Sequence, residues 1–248
     1  MRGLMVFLVP ALLLLTWSIL TGPGLVNPIF LPTPWSVADA LFEGFYSGGL
    51  LSDLSATIWR SLIGFVCAAL IGIPIGLLMG RFARVAELTQ STFDFFRSIP
   101  ATALFPVFLL AFGLGDESKI AIVIYGCSLL MAVNTFYGAR QVKQSRVLAA
   151  KVMGATPLHT FFYVVIPESM PGIFSGLRIS LSMSFVLIIV AEMFIGTNVG
   201  LGYRIVNSQM VYRVPDMYAG ILLAGLAGYL GNKSLLLIER RLLHWVGR

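Results

Sequence analysis

The sequence predicts an all-α integral membrane protein with about six transmembrane helices. Of its 248 residues, 58% are hydrophobic and only 11% are charged, and the mean hydropathy is +0.90. Soluble proteins carry about 25% charged residues, so a soluble chain of this composition would have too little polar surface. Uncharged runs near the length that crosses a bilayer, about 20 residues, alternate with short polar segments. We expect residues 1–248 to form a single transmembrane domain.

The predicted spans follow the apolar runs, at about residues 4–20, 61–80, 98–115, 120–139, 179–196 and 217–238. The first run exceeds the apolar core of a signal peptide, and no cleavage site of the A-x-A type follows it. We therefore expect an uncleaved first helix. After it, Thr33 and Pro34 can begin a short helix that has Val37, Leu41 and Phe45 on one side.

Small residues recur at every fourth position in two of the spans, where they create faces that a neighbouring helix can approach closely. They are Ala68, Gly72, Gly76 and Gly80 in one span, and Gly220, Ala224 and Gly228 in the other. Another span, 98–115, contains Pro100 and Pro106 and is predicted to bend, which membrane helices tolerate.

The span 179–196 carries the polar candidates for a translocation pathway, namely Ser180, Ser184 and Glu192. A charged group inside a span is costly and usually faces protein or water. Glu192 therefore either lines the pathway, forms a salt bridge with a neighbouring chain or reaches the membrane interface. The residues alone leave these three possibilities open.

The longest break between apolar runs is the basic loop 140–178. Gly154 is expected to end a short helix that starts at Val147, since a helix end favours a residue with positive φ. Thr156 can cap the next helix, with Pro157 in its first turn. Pro167 and, four residues later, a second proline predict that no continuous helix passes through this region. Such a loop either docks a soluble partner or lies on the lipid headgroups.

These residues resemble the EAA loop of ABC importer permeases. The resemblance rests on Ala149-Ala150, on Gly154, and on a hydrophobic pattern at Val164 and Ile166 that ends at Pro167. It implies a type I ABC importer permease fold, in which this loop forms the cytoplasmic coupling helix that seats in an ATPase subunit. Its residues here are Leu148, Ala149, Ala150, Gly154, Ala155, Thr156, Pro157 and Pro167. Leu148 stands where the family usually has glutamate, so the ionic contact of that glutamate is not expected.

Three further stretches resemble the nitrate/sulfonate/taurine/bicarbonate branch of these permeases. They are LPTPWSV at 31–37, RSIPATALFPVFLLAFGLGDESK at 97–119 and the GLG turn at 200–202. The resemblance implies a complex of two permease copies, two ATPase subunits and a solute-binding protein. The ATPase subunits bind ATP and Mg²⁺. The resemblance also implies a small oxyanion as cargo, a homodimer of permeases and no cofactor in this chain.

The distribution of basic residues predicts the orientation. With both termini in the cytoplasm, eleven Lys and Arg residues lie inside and four outside, as the positive-inside rule favours. The inner ones are Arg2, Arg81, Arg84, Arg140, Lys143, Arg146, Lys151, Arg178, Arg240, Arg241 and Arg248, and the outer ones are Arg60, Lys119, Arg204 and Arg213. We expect a multi-pass protein of the bacterial plasma (inner) membrane.

The sequence lacks the signatures of an enzyme. No G-x-x-x-x-G-K-[ST] motif occurs, so this chain is not expected to hydrolyse ATP. The only histidines are His159 and His244, and no cluster has metal-ligand spacing. Cys67 and Cys127 lie in apolar runs and are expected to be packing residues. The alternatives are a secondary transporter, which would usually show repeats or several intramembrane acids, and an intramembrane hydrolase.

Overall fold

The computed structural model describes residues 2–243 except 23 and 47, with side chains from residue 8 onwards. The described residues form α-helices joined by short loops. The helices are α1 (Arg2–Thr21), α2 (Pro34–Tyr46), α3 (Leu50–Arg81), α4 (Ala83–Ser98), α5 (Phe105–Phe112), α6 (Asp116–Arg140), α7 (Gln144–Val152), α8 (Pro157–Thr160), α9 (Ile166–Phe194), α10 (Leu201–Met210) and α11 (Val214–Leu242). His244 and Arg248 lie outside the described residues, as does the side chain of Arg2.

Four helical segments are long and apolar enough to cross a membrane. They are α3, α6, the continuous segment Pro157–Phe194 and α11. A fifth crossing is possible if α4 and the segment Ala101–Phe112, which meet at 81°, count as one broken span. The predicted first span corresponds to α1, of which Leu8–Thr21 is a shorter apolar helix. The described residues thus provide four or five candidate spans against about six predicted.

Helices α3 and α6 pack side by side in parallel, and glycines make this packing close. An added Cβ at Gly64 would meet Val123, and one at Gly80 would meet Ala139 sixteen residues further along both helices. The predicted small-residue face of α3 is therefore confirmed as a packing face. Because α3 and α6 run in the same direction, the chain must return through α4 and α5, so this bent pair crosses the bundle as a broken span.

The predicted span 98–115 is not one bent helix. The chain breaks at Ile99 and Pro100, continues as a 3₁₀ turn over Ala101–Leu104, and then enters α5. Pro106 lies in the first turn of α5, where the missing N–H costs no intrahelical hydrogen bond. One proline therefore accompanies the break, and the other begins a helix.

The prediction that prolines interrupt the chain after the basic loop is wrong. Helix continues from Pro157 to Phe194, as α8, a π-helical turn over Phe161–Val165 and then α9. Pro167 lies in the first turn of α9, directly after the π-helical turn, and Pro171 lies inside α9. A π-helical turn accommodates one extra residue, so the chain passes Pro167 without a break. The helix that contains the predicted span 179–196 therefore starts 22 residues before that span.

The helices define two ends of the bundle. One end, which we call the loop end, contains the C-terminal ends of α3 and α6 and residues 141–165. The opposite end contains the C-terminal end of α9, and α10. Helix α2 packs against α11 there, through Val37, Ala40 and Ala219. Thr33 accepts a hydrogen bond from the backbone of Ser36 and so begins α2 as predicted. The predicted apolar side is only partly correct, because Phe45 is exposed.

The core lies between α3, α6 and α9. Its residues are completely or nearly completely buried and include Ala68, Ile122, Cys127, Leu187 and Ile188. The packing role expected of Cys127 is confirmed, and both cysteines are free thiols. The second small-residue stripe packs more loosely: an added Cβ at Gly228 would be 3.9 Å from Phe185, an ordinary contact.

We expect Gly76→Ala to destabilise the protein, because the added Cβ would lie 2.4 Å from the backbone oxygen of Ala132. Gly225→Ala is the matched control, since nothing lies within 4 Å of a Cβ there and alanine favours a helix by about 0.5–1 kcal/mol over glycine. Thermal unfolding of the detergent-purified variants measures both changes. Equal melting temperatures for the two variants would show that α3 and α6 do not depend on this approach.

Candidate functional site

The helix α7 ends at the loop end of the bundle in a Schellman motif. Gly154 has φ +81°, and its N–H donates to the carbonyl of Lys151 at 3.0 Å. The N–H of Ala155 donates to the carbonyl of Ala150, also at 3.0 Å. These two bonds satisfy carbonyls that a helix end would leave free. The predicted role of Gly154 in ending this helix is confirmed.

The chain then turns directly into α8. Thr156 caps this helix, because its Oγ1 accepts a hydrogen bond from the backbone N–H of His159 at 3.2 Å. Pro157 occupies the first turn. Both local predictions are confirmed, and together with Gly154 they fix the angle between α7 and α8.

The segment 141–165, which we call the docking loop, presents an apolar surface. Its exposed apolar residues are Leu148, Val152, Met153, Leu158, Phe162 and Tyr163, and Val152 is 88% exposed. The ring of His159 stacks on Tyr163 with centroids 4.2 Å apart. A cavity of about 470 Å³ lies between α7 and α8 and is lined by Gly154, Ala155, Thr156 and their neighbours. An exposed apolar patch of this kind marks a contact surface for protein or lipid.

The two alanines of the docking loop have different surroundings. Ala149 is exposed, whereas Ala150 is buried together with Val147. Ala150 therefore packs inside the docking loop, where α7 contacts α8 and the π-helical turn, and only Ala149 is open to a partner. Leu148, at the position where related loops usually have glutamate, is exposed next to Ala149.

Glu168, at the start of α9, ties the docking loop to the membrane helices. Its carboxylate accepts hydrogen bonds from Nη1 of Arg146 at 2.8 Å and from the backbone N–H of Lys143 at 3.2 Å. Glu168 was not among the residues predicted from the sequence. Its signal was an acidic residue directly after Pro167, in a first helical turn where negative charge is favoured.

At the opposite end of the bundle, Glu192 is almost completely buried and fully hydrogen-bonded. Its carboxylate accepts bonds from Nη1 of Arg60 at 2.6 Å, from Oγ1 of Thr57 at 2.9 Å and from the N–H of Gly202 at 3.0 Å. Gly200 has φ +141°, and a Cβ there would lie 2.5 Å from this carboxyl group. The GLG turn therefore lets the backbone approach Glu192 closely.

Further charges extend this cluster, which we call the charge network. Arg60 also donates to Asp116 at 2.8 Å, and Lys119 is buried 3.6 Å from the same carboxylate. Asp53 accepts bonds from the N–H of Gly200 at 2.9 Å and from Nε of Arg204 at 2.5 Å. The network comprises Asp53, Arg60, Asp116, Lys119, Glu192 and Arg204, three acids and three bases. Each buried charge of the network thus has an oppositely charged partner, and removal of one partner would leave a buried charge unpaired or less well paired.

Ser180 and Ser184 are completely buried in contacts between helices. The hydroxyl of Ser180 bonds to the carbonyl of Cys127 on α6 at 3.3 Å, and that of Ser184 lies 2.8 Å from the hydroxyl of Ser61 on α3. Within this subunit both serines and Glu192 thus join helices to one another. Their role in a translocation pathway stays a prediction. Among the described residues, no group of three or more His, Cys, Asp or Glu side chains is arranged to bind a metal ion.

The fold and the docking loop define the class: a multi-span membrane subunit that presents an apolar helix–turn–helix at one end. The chain belongs to the family described as the binding-protein-dependent transport system inner membrane component, whose model matches residues 72–248. It is thus a membrane component of a transport system.

Named relatives cover almost the whole chain. The aliphatic sulfonates transport permease protein SsuC of Bacillus subtilis is 31% identical over 99% of this chain and 87% of its own. The taurine transport system permease protein TauC of Escherichia coli is 29% identical over 96% and 88%. The nitrate import permease protein NrtB of Synechocystis is 29% identical over 92% and 85%.

Solved structures share the fold. The MetNI methionine ABC transporter in an inward-facing conformation matches 88% of this chain and 99% of its own, with a TM-score of 0.64 and 21% identity. An amino acid ABC transporter matches 81% and 97%, with a TM-score of 0.60 and 20% identity. The predicted type I importer permease fold is confirmed.

We expect Glu192→Gln to destabilise the protein strongly, because Arg60 would lose a buried charged partner, a loss that costs about 3–5 kcal/mol in proteins. Asp94→Asn is the control. Its carboxylate pairs with Arg97 at 3.2 Å, and both side chains are about half exposed, so its removal should cost about 0–1 kcal/mol. Thermal unfolding in detergent compares the two, and similar losses would mean that the charge network does not stabilise the bundle.

Proposed function

We propose that this protein is the transmembrane permease subunit of an ATP-driven ABC importer for a small oxyanion. The observation that carries the proposal is the docking loop, an exposed apolar helix–turn–helix with capped helix ends, on a chain of the permease family. The names of its relatives refer to aliphatic sulfonates, taurine and nitrate. A sulfonate or nitrate group is a compact oxyanion, so we propose cargo that carries such a group.

The docking loop is the proposed contact with a separate ATPase. Its exposed surface combines Val152 and Met153 at the end of α7 with Leu158 on α8. Burial of these side chains in a groove on the ATPase would contribute a favourable free energy of about 25 cal/mol per Å² of apolar surface. The chain itself has no G-x-x-x-x-G-K-[ST] motif, and we therefore assign ATP and Mg²⁺ binding to the partner.

The proposed assembly contains two copies of this permease, two ATPases and a solute-binding protein. Under this proposal the loop end faces the cytoplasm, both termini are cytoplasmic, and the opposite end meets the solute-binding protein. The described charges agree with this orientation. Arg60, Lys119 and Arg204, three of the four basic residues predicted outside, lie together in the charge network.

The proposed mechanism is alternating access. ATP binding draws the two ATPases together, the docked loops follow, and the pathway opens to the outside to receive the anion. Hydrolysis then restores the inward-open state. Such coupling requires contacts that differ between the two states, because a ligand shifts an equilibrium only through differential interactions. The hydrogen bonds at Gly154, Ala155 and Thr156 that join α7 to α8 support this proposal, since a junction without them would absorb the motion.

Reconstitution tests the proposal directly. The purified permease, its ATPase and its solute-binding protein are placed in proteoliposomes with labelled taurine or nitrate outside. We expect uptake that requires ATP inside and all three components. Uptake by the permease alone, driven by an ion gradient, would instead identify a secondary transporter.

We expect Gly154→Val to uncouple ATP hydrolysis from transport, because a β-branched residue strains the positive φ that sets the angle between α7 and α8. Gly24→Val is the control. Gly24 has φ +74° and, like Gly154, nothing within 4 Å of an added Cβ, but it lies in the loop after α1. Measured uptake per ATP should fall at least about tenfold for the first variant and stay near normal for the second.

If both variants lose coupling equally, the effect comes from backbone strain in general, and the role assigned to the docking loop is wrong. Membrane yield and melting temperature of the two variants, measured in parallel, show whether their stabilities are matched.

A further inference from the structure

A polar cavity lies between α9 and α11, away from both the docking loop and the charge network. Its volume is about 460 Å³, and it is lined by Ser175, Arg178, Ile179, Ser182 and Asn232. Since one water takes about 30 Å³ in the liquid, the cavity has room for a small anion together with several waters. The lining residues on α9 lie three or four positions apart, so they share one face of the helix.

Two buried polar atoms that line this cavity lack hydrogen-bond partners. Nε of Arg178 is buried and donates no hydrogen bond, and Oδ1 of Asn232 is buried and accepts none. Ser175 and Ser182 are exposed, and their hydroxyls make no hydrogen bond within the described part of the chain. Buried polar groups are nearly always paired in folded proteins, so Nε of Arg178 and Oδ1 of Asn232 indicate a ligand or ordered water that the subunit alone does not supply.

The position of Arg178 also points to a function. It lies fourteen residues before Glu192 on the same helix, which places it about 21 Å nearer the loop end at 1.5 Å per residue. Arg178 is 42% exposed, on a face that has no apolar cover at Ser175 and Ser182. Arg178, counted above with the inner basic residues, therefore lies at the inner end of the span, and a charged side chain on a membrane helix faces protein or water and not lipid.

We propose that this cavity is a weak binding site for an oxyanion group on the inner part of the translocation pathway. Arg178 donates hydrogen bonds to the oxygens of a sulfonate, nitrate or phosphate group, as guanidinium groups favour. Ser175 and Ser182 add hydroxyl donors, and Asn232 adds its amide N–H once the amide turns over. The proposal rests on the proposed function, since it assigns the cargo's anionic group to particular side chains.

Glu239 limits the affinity of this site. Its Oε2 lies 3.6 Å from Nη1 of Arg178, which is too long for a hydrogen bond, and this oxygen is itself without a hydrogen-bond partner. The carboxylate thus partly neutralises Arg178 without occupying its donors. An anion can enter and leave, as a transport site requires, because Glu239 competes with it.

A binding experiment on the full chain tests the proposal. The permease, in nanodiscs of phosphatidylcholine alone, is titrated with ethanesulfonate by calorimetry. Arg178→Gln should weaken binding by about tenfold, the factor for one charge-assisted hydrogen bond. Lys233→Gln is the control, because it removes the same charge from the neighbour of Asn232, where Lys233 is exposed and lies over the ring of Tyr229. Its affinity should change by less than about twofold.

Glu239→Gln separates a binding role from a structural one. Removal of the competing carboxylate should strengthen ethanesulfonate binding several-fold, whereas a general loss of structure would weaken it. If Arg178→Gln binds as well as the unchanged chain, or Glu239→Gln binds more weakly, the proposed site is wrong.

The anionic group could also belong to a lipid headgroup. Native mass spectrometry in nanodiscs that contain phosphatidylglycerol shows this source, as a bound lipid that Arg178→Gln loses and Lys233→Gln retains. If the permease binds phosphatidylglycerol in this way, and this lipid displaces ethanesulfonate, the oxyanion site belongs to the lipid headgroup. Ethanesulfonate binding that phosphatidylglycerol does not reduce assigns it to free solute. Absence of both kinds of binding overturns the proposal.

Thiol labelling provides a second test that does not depend on the folding of Arg178→Gln alone. Ser182→Cys, in a chain with Cys67→Ala and Cys127→Ala, is treated with anionic and cationic methanethiosulfonate reagents. The anionic reagent should react several-fold faster, and Arg178→Gln should abolish this preference. No reaction with either reagent would mean that protein or lipid covers the face, which contradicts the proposal.

These measurements need no ATPase and no solute-binding protein, so their outcome is independent of the transport test. Binding without ATP-driven uptake would leave the anion site valid and the importer proposal wrong. If ATP-driven uptake occurs without ethanesulfonate binding, and Arg178→Gln does not change that uptake, the importer proposal is valid and the anion site is wrong.

Discussion

The bundle depends on the burial of one carboxylate. Glu192 on α9 receives hydrogen bonds from Thr57 and Arg60 on α3 and from the backbone of α10, and Arg60 continues to Asp116 at the start of α6. A buried carboxylate without partners would be prohibitively costly. These bonds therefore fix how far α3, α6 and α9 extend relative to one another, and the close glycine contacts between α3 and α6 occur at that register.

The two ends of the subunit differ in the forces that organise them. One end is held by paired charges and by backbone that closes around them. The other presents apolar side chains to its surroundings and is positioned by local turn chemistry and by Glu168. The first arrangement is complete within the chain. At the loop end, by contrast, apolar side chains of the docking loop are exposed. This contrast agrees with one end that is fixed within the subunit and another that engages a partner.

Sequence predicted best what local chemistry decides. Apolar runs marked the membrane segments, and Gly154, Thr156 and Pro157 gave the geometry of the docking loop because their effects act within one turn. The charge network was not predictable, since Thr57 and Glu192 lie 135 residues apart and a single sequence does not reveal their pairing. The burial of Ser180 and Ser184 depended likewise on which neighbours cover that face. The continuity of α9 through Pro167 depended on a π-helical turn, for which the residues gave no signal.

The uninterrupted helix from Pro157 to Phe194 has a mechanical consequence. Its 38 residues correspond to a helix about 57 Å long. Under the proposed orientation its N-terminal end lies at the cytoplasmic contact, and Glu192 lies near its C-terminal end. Because the charge network fixes the end of the helix near Glu192, a force applied at Pro157 under the proposed mechanism would tilt the helix about that end. A tilt of about 5° would displace the N-terminal end by about 5 Å over this length. Arg178, which lies between the two ends, would move by roughly a third to a half of that distance.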